Sequence, residues 1–116
     1  MLTKFAIFAF KGEVVCFAHT LLNALDFHQK GHDTKLIIEG SAIKTVVTLF
    51  DKNQPFANLL EEVRKKNIVD AVCKVCSKQM GVFEEIISEG LPLGDDMKGH
   101  PGMAKYVGNG YQILVL

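Results

Sequence analysis

The sequence predicts an α/β fold on a mainly parallel sheet covered on both faces. Three observations carry this expectation. Short apolar runs with strand character recur along the chain, segments with helical apolar spacing separate them, and glycine, proline or capping residues stand at the junctions. Alternating strands and helices favour parallel pairing, because each crossover helix packs back onto a sheet face.

The elements follow in order. "KFAIFAF" (4 to 10) is short, aromatic and almost wholly apolar, as expected of a strand buried on both faces. From Val14 to Lys30, apolar residues at Val15, Ala18, Leu21, Leu22 and Leu25 keep helical spacing, and Gly31 supplies a left-handed stop. "TKLIIEG" (34 to 40) is a second strand ending in Glu39-Gly40. Ser41 is a candidate cap for a helix carrying Ile43, Val46, Val47 and Phe50, although that β-branched content also suits a strand. Pro55 stands at a first helical position ahead of Phe56, Leu59, Leu60 and Val63, with Arg64, Lys65 and Lys66 complementing the helix end.

"IVDAVC" (68 to 73) is the third strand. Ser77 is a candidate cap for a helix carrying Val82, Phe83, Ile86 and Ile87 before Gly90. "LPL" (91 to 93) suits a very short strand, Pro101 opens a short helix through Val107, and "YQILVL" (111 to 116) closes the sheet. No linker, repeat or low-complexity segment interrupts the chain, so residues 1–116 are expected to form one domain.

Composition narrows the function classes. Thirteen basic and thirteen acidic residues cancel, which removes the electrostatic footprint a nucleic-acid partner requires. No segment reaches the roughly 20 apolar residues of a membrane span, and the N-terminal apolar run lacks the small-residue cleavage site of a signal peptide. A cytoplasmic protein without nucleic-acid or membrane partners is therefore expected. Neither a GxGxxG nor a P-loop motif is present, nor a nucleophile elbow, and no cofactor is called for.

Three cysteines form an odd set without the spacing of a disulfide framework. In open parallel sheets, ligands and chemistry collect at the carboxyl ends of the strands. Cys16 and His19 follow the first strand, Glu39 ends the second, Cys73 and Cys76 end the third, and Asp95, Asp96 and His100 follow the fourth. Nearly every chemically capable residue is thus expected at one edge.

Cys73-x-x-Cys76 admits several readings. Either thiol can be a buried small hydrophobe. As a nucleophile, Cys73 near a helix start would gain from that helix's positive end, and from Lys74 and Lys78 if they face inward. Lowering its pKa from about 8.5 to about 6.5 would raise the thiolate fraction at pH 7 from a few per cent to roughly three-quarters. As a metal clamp, Cys16, His19, Cys73 and Cys76 supply two x-x pairs on neighbouring strand ends, although a core of this size needs no structural ion. Disulfide exchange is a further option, but a pair after the third strand does not match the thioredoxin order of elements. In the Gly- and Pro-rich loop 90 to 105, His100 is a candidate site residue, while Glu39 suits either a neighbouring subunit or a lysine partner.

The stretches "KFAIFAFKGEVVCFAHTLLNALDFHQKGHDTKLIIEG", "AVCKVCSKQMGV" and "DDMKGHPGMAKYVGNGYQILVL" together resemble the DsrE/DsrF-like family of small α/β proteins associated with sulfur relay. The most specific part is a cysteine ending the third strand, followed eight residues later by glycine and an apolar residue, here Cys73, Gly81 and Val82. The resemblance implies a three-layer α/β/α fold with a mostly parallel five-stranded sheet, assembled as a homo- or hetero-oligomer, often trimeric or hexameric, with a homo-oligomer expected here. It further implies that Cys73 accepts sulfane sulfur as a persulfide and yields it to other sulfur-relay proteins. Beside it, Cys76 would act as a resolving thiol, Lys74, Lys78 or the helix dipole would stabilise the anion, and His19 would move a proton. The rival is an oligomer that binds a metal or small ligand through Cys16, His19, Cys73 and Cys76 without turnover.

Overall fold

A computed structural model describes residues 2–116. Five strands form one sheet in the order β4-β3-β2-β1-β5, where β1 is Lys4–Ala9, β2 Asp33–Ile38, β3 Val69–Cys73, β4 Leu93–Gly94 and β5 Gln112–Val115. Every pairing is parallel, with Ile7 opposite both Leu36 and Leu114 at the centre. The helices are α1 Val14–Gln29, α2 Ala42–Thr48, α3 Ala57–Lys65, α4 Lys74–Gln79, α5 Phe83–Ser88 and α6 Ala104–Gly108.

The three layers are unequal. Ile7, Leu36, Ile38 and Val72 face a large core with Phe17 and Leu21 of α1, Ile43 of α2, Leu60 of α3 and Ile86 of α5. On the opposite face, Ala6, Phe8, Ile37 and Ala71 meet Tyr106 of α6. This division follows from topology. Steps from β1 to β2, β3 and β4 run in one direction across the sheet, and right-handed crossovers then put their helices on one face; the return from β4 to β5 puts α6 on the other.

Local details depart from the sequence expectations for identifiable reasons. On α1 the buried residues are Phe17, Ala18, Thr20, Leu21 and Ala24, whereas Val15 and Leu22 are exposed. The apolar surface of α1 is wider than the face the sheet covers. Residues 42–48 form a helix, but the Ser41 hydroxyl does not cap it: it donates to the Phe10 carbonyl (3.1 Å) and accepts from the Gly12 amide (3.0 Å). Pro55 precedes α3 rather than opening it, because Phe56 adopts a left-handed conformation (φ 72°) ahead of Ala57. Ser77 lies buried within α4 and donates to the Cys73 carbonyl at 2.7 Å, so it is not an N-cap. α4 instead starts at Lys74, and Gly81 at φ 71° separates it from α5. The fourth strand is Leu93–Gly94, one residue beyond the expected end, and the last helix starts at Ala104 rather than at Pro101.

Candidate functional site at the β3–β4 edge

β3 and β4 are neighbours whose following segments diverge, one into α4 on the large-core face and the other towards α6 on the opposite face. A crevice outside such a divergence is where open parallel sheets hold ligands. Cys73 ends β3 and is the N-cap of α4, its sulfur accepting the Cys76 amide at 3.4 Å. The residues just after β4 return across it.

Gly99 fixes that return. It has a φ of 91°, and a β-carbon there would stand 2.0 Å from Cγ2 of Val75. Only glycine fits both constraints. Its carbonyl accepts the Val75 amide at 3.0 Å, and Met97 and His100 close the turn through amide–carbonyl bonds of 2.7 and 3.0 Å. Asp96 accepts the Gly102 amide at 3.2 Å and pairs with Lys105 at 3.5 Å, while Asp95 pairs with Lys74 at 3.7 Å.

This frame sets the His100 ring over the cysteine pair. Its Nδ1 lies 3.1 Å from Cys73 Sγ, 3.8 Å from Cys76 Sγ and 3.7 Å from Glu39 Oε1. Glu39 arrives from the residue after β2, its amide bonded to the Ala9 carbonyl at 2.9 Å. The four donor atoms all lie within 4.8 Å of one another. Cys73 is fully buried, Cys76 and Glu39 nearly so, and the His100 side chain, 37% exposed, is the member that reaches solvent.

The expected rim thiolate is corrected by this geometry. Burial, aided by the neighbouring Cys76 thiol, pushes the Cys73 thiol up to about 12. The expected cations do not oppose this: Lys74 pairs with Asp95, and Lys78 stands over the Phe83 ring at 4.9 Å. At six residues, α4 adds little field beyond the Cys76 amide. Glu39 is likewise pushed above the ordinary carboxylate range, chiefly by burial, with His100 pulling the other way. Cys73 therefore rests as a thiol, with His100 Nδ1 at 3.1 Å and the Gly99 carbonyl at 3.8 Å as the acceptors in reach of its proton. In the tautomer whose Nδ1 accepts, the ring hydrogen is on Nε2.

Of the residues singled out from sequence, Glu39, Cys73, Cys76 and His100 come together, and Cys16 and His19 do not join them. The Cys16 thiol donates to Glu13 Oε2 at 3.1 Å, a bond that holds it up in its thiol form and holds Glu13 down as a carboxylate. His19 is exposed on α1. Within the chain Glu39 meets the His100 ring rather than a lysine. Sequence reasoning missed Gly99, whose signal was the "KGHPG" turn itself: a glycine adjoining a chemically capable side chain and a proline.

A parallel α/β/α protein with a buried thiol pair at its sheet switch point is the class this arrangement defines. Within that class, the family model described as DsrE/DsrF-like matches residues 11–116, and the chain belongs to the DsrE/DsrF-like family. The family is associated with sulfur relay. An uncharacterized protein of Methanocaldococcus jannaschii is 36% identical over 98 residues, covering 84% of this chain and 78% of that protein. A second uncharacterized protein, from Archaeoglobus fulgidus, is 41% identical over 49 residues, 42% of this chain and 77% of that one. No solved structure gives a significant match. Among the described residues no helix is long and apolar enough to cross a membrane.

Proposed function

We propose that the protein is a persulfide carrier or sulfurtransferase in which Cys73 receives sulfane sulfur and His100 manages its proton. The observation that carries this reading is the 3.1 Å approach of His100 Nδ1 to Cys73 Sγ. A thiol held up to about 12 is inert by itself at neutral pH, so a base in contact is what makes it usable.

In the first half-reaction the Cys73 proton moves to His100 Nδ1, and the thiolate attacks the terminal sulfur of a donor persulfide. The donor's S–S bond breaks as the new one forms. The donor leaves as a thiolate and takes the proton from His100, so a persulfide and a thiol exchange a sulfur atom without net oxidation. The Cys76 amide, 3.4 Å from Cys73 Sγ, steadies the anion in passing. Glu39 faces the same ring nitrogen as the thiol. It therefore acts by charge on the transient imidazolium, and not as the far partner that orients the ring from Nε2.

Release takes one of two routes. An acceptor thiolate attacks the outer sulfur of the Cys73 persulfide and restores the Cys73 thiolate. Alternatively, Cys76 attacks Cys73 Sγ, expels hydrosulfide and leaves a Cys73–Cys76 disulfide that a dithiol reductant must reopen. Donor and acceptor are other thiol proteins of a sulfur relay, in the cytoplasm, and they approach past the His100 ring. Assembly as a homo-oligomer, trimeric or hexameric, belongs to the same reading: Val14, Val15 and Leu22 leave an apolar stretch of α1 exposed.

The test is intact-mass analysis of the reduced full chain after incubation with glutathione persulfide. A gain of about 32 Da that is absent in Cys73→Ser and slowed in His100→Gln supports the reading. A gain that survives Cys73→Ser overturns it.

A further inference from the structure

We infer that Glu39, Cys73, Cys76 and His100 form a four-ligand site for a thiophilic divalent cation of the zinc class. The inference concerns the resting site without sulfur bound, and it does not rest on sulfur transfer. It also replaces the ligand set that spacing alone suggested, since Cys16 and His19 stand outside the cluster.

The geometry is the first support. A tetrahedral ion with bonds of about 2.0 to 2.3 Å needs donors about 3.3 to 3.8 Å apart. Here His100 Nδ1 lies 3.1 Å from Cys73 Sγ, 3.8 Å from Cys76 Sγ and 3.7 Å from Glu39 Oε1, and no pair of donors exceeds 4.8 Å. The three His100 distances lie within about 0.2 Å of that range, and the widest donor pair would close by at most about 1 Å to centre an ion.

Donor chemistry is the second. Two sulfurs and an imidazole select zinc-like ions over magnesium or calcium, and one carboxylate oxygen completes a set common at zinc. The ligands come from three separate strand ends, held by the sheet register and by the Gly99 turn, so the site exists before any ion arrives. The Cys76 amide that donates to Cys73 Sγ orients that sulfur as an outer partner orients a metal ligand.

Burial is the third. Glu39 is a buried acid whose nearest base, at 3.7 Å, is beyond hydrogen-bond length. A carboxylate in that position gains from a cation on the line to His100. On binding, both thiols release their protons to solvent and the ring binds through its Nδ1 lone pair. Two thiolates and one carboxylate then face two positive charges, leaving one negative charge at the site.

Cobalt titration of the reduced full chain in oxygen-free buffer tests the inference. The expected result is one Co²⁺ per chain, with a near-ultraviolet thiolate charge-transfer band, strong four-coordinate d–d bands, and displacement by one equivalent of Zn²⁺. Cys76→Ser, Glu39→Gln and His100→Gln should each weaken uptake by about tenfold or more. Cys16→Ser should leave the spectrum as it is, which separates this ligand set from one that includes α1. His100 is partly exposed, so its variant keeps the test readable if a cysteine variant does not fold. A weak six-coordinate spectrum, or uptake unchanged in the Cys73→Ser/Cys76→Ser double variant, would overturn the inference. Neither outcome bears on persulfide formation, which is read by mass in metal-free buffer.

Discussion

His100 Nδ1 stands 3.1 Å from Cys73 Sγ, and this contact joins the end of β3 to the loop after β4 across the point where the chain changes sheet faces. The sheet register puts Cys73 at the edge, and Cys73 pairs directly with Gly94. The loop then needs only the residues from Asp95 to Gly99 to bring the ring back. The site's chemistry depends on that return as much as on the cysteine.

Replacing His100 by Gln keeps much of the side-chain volume and removes the base. Persulfide formation at Cys73 should slow by about 100-fold or more at pH 7, the contribution expected of a positioned general base. Stopped time courses of the mass gain measure this, with circular dichroism to show an unchanged fold. A rate within about threefold of the wild-type protein would remove His100 from the proposed mechanism.

Stability should decline at high pH because of Cys73. Its folded pKa, about 12, lies above the unfolded value of about 8.5, so the folded state holds the proton more tightly. That contribution is fully present below pH 8.5 or so and is lost as pH rises towards 12. Denaturant midpoints between pH 7 and pH 11 should fall in the wild-type protein and fall less steeply in Cys73→Ala. Parallel curves would contradict the burial argument.

Glu39→Gln should raise, or at least preserve, stability at neutral pH. Burial holds the Glu39 carboxyl above its ordinary value, so its protonated form suits the folded state, and the advantage is lost as pH rises through the folded pKa. An amide of the same shape removes the buried charge. Denaturant midpoints of the variant at pH 5 and pH 7.5 should therefore differ less than those of the wild-type protein. The same substitution should weaken cobalt binding, so stability and metal affinity move in opposite directions.

Gly99→Ala should loosen the loop that carries His100. A left-handed conformation costs an alanine roughly 1–2 kcal/mol. The contact with Val75 Cγ2 at 2.0 Å adds to this unless the turn shifts. The expected outcome is a loss of about 1–2 kcal/mol in unfolding free energy, together with slower persulfide formation. Combining Gly99→Ala with Val75→Ala should recover part of both. If Gly99→Ala reacts as the wild type does, the turn does not position the ring.

Much of the fold was legible in the sequence because its strands are continuous apolar runs and its longer helices keep a clear period. Where reading failed, tertiary contacts had overruled local signals. Ser41 looked like a cap but its hydroxyl serves the loop of residues 10–12, and Ser77 did so too but bonds back to Cys73. The edge location of Glu39, Cys73, Cys76 and His100 follows from strand ends alone. Their convergence does not, because it depends on the left-handed Gly99 turn. Nor does spacing reveal that Lys74 pairs with Asp95 rather than with a thiolate, or that Cys16 bonds to Glu13. Cys73 illustrates the limit best: it sits at the expected strand end, yet fully buried, which reverses the expected direction of its pKa.

The account turns on Cys73 being reached and ionised through His100. Peptide-resolved alkylation by iodoacetamide at pH 7.5, in wild-type protein and in His100→Gln, tests this most directly. The account predicts that Cys73 is modified in the wild-type protein and at least about tenfold more slowly in the variant. Modification confined to Cys16, or a Cys73 rate indifferent to His100, would contradict it.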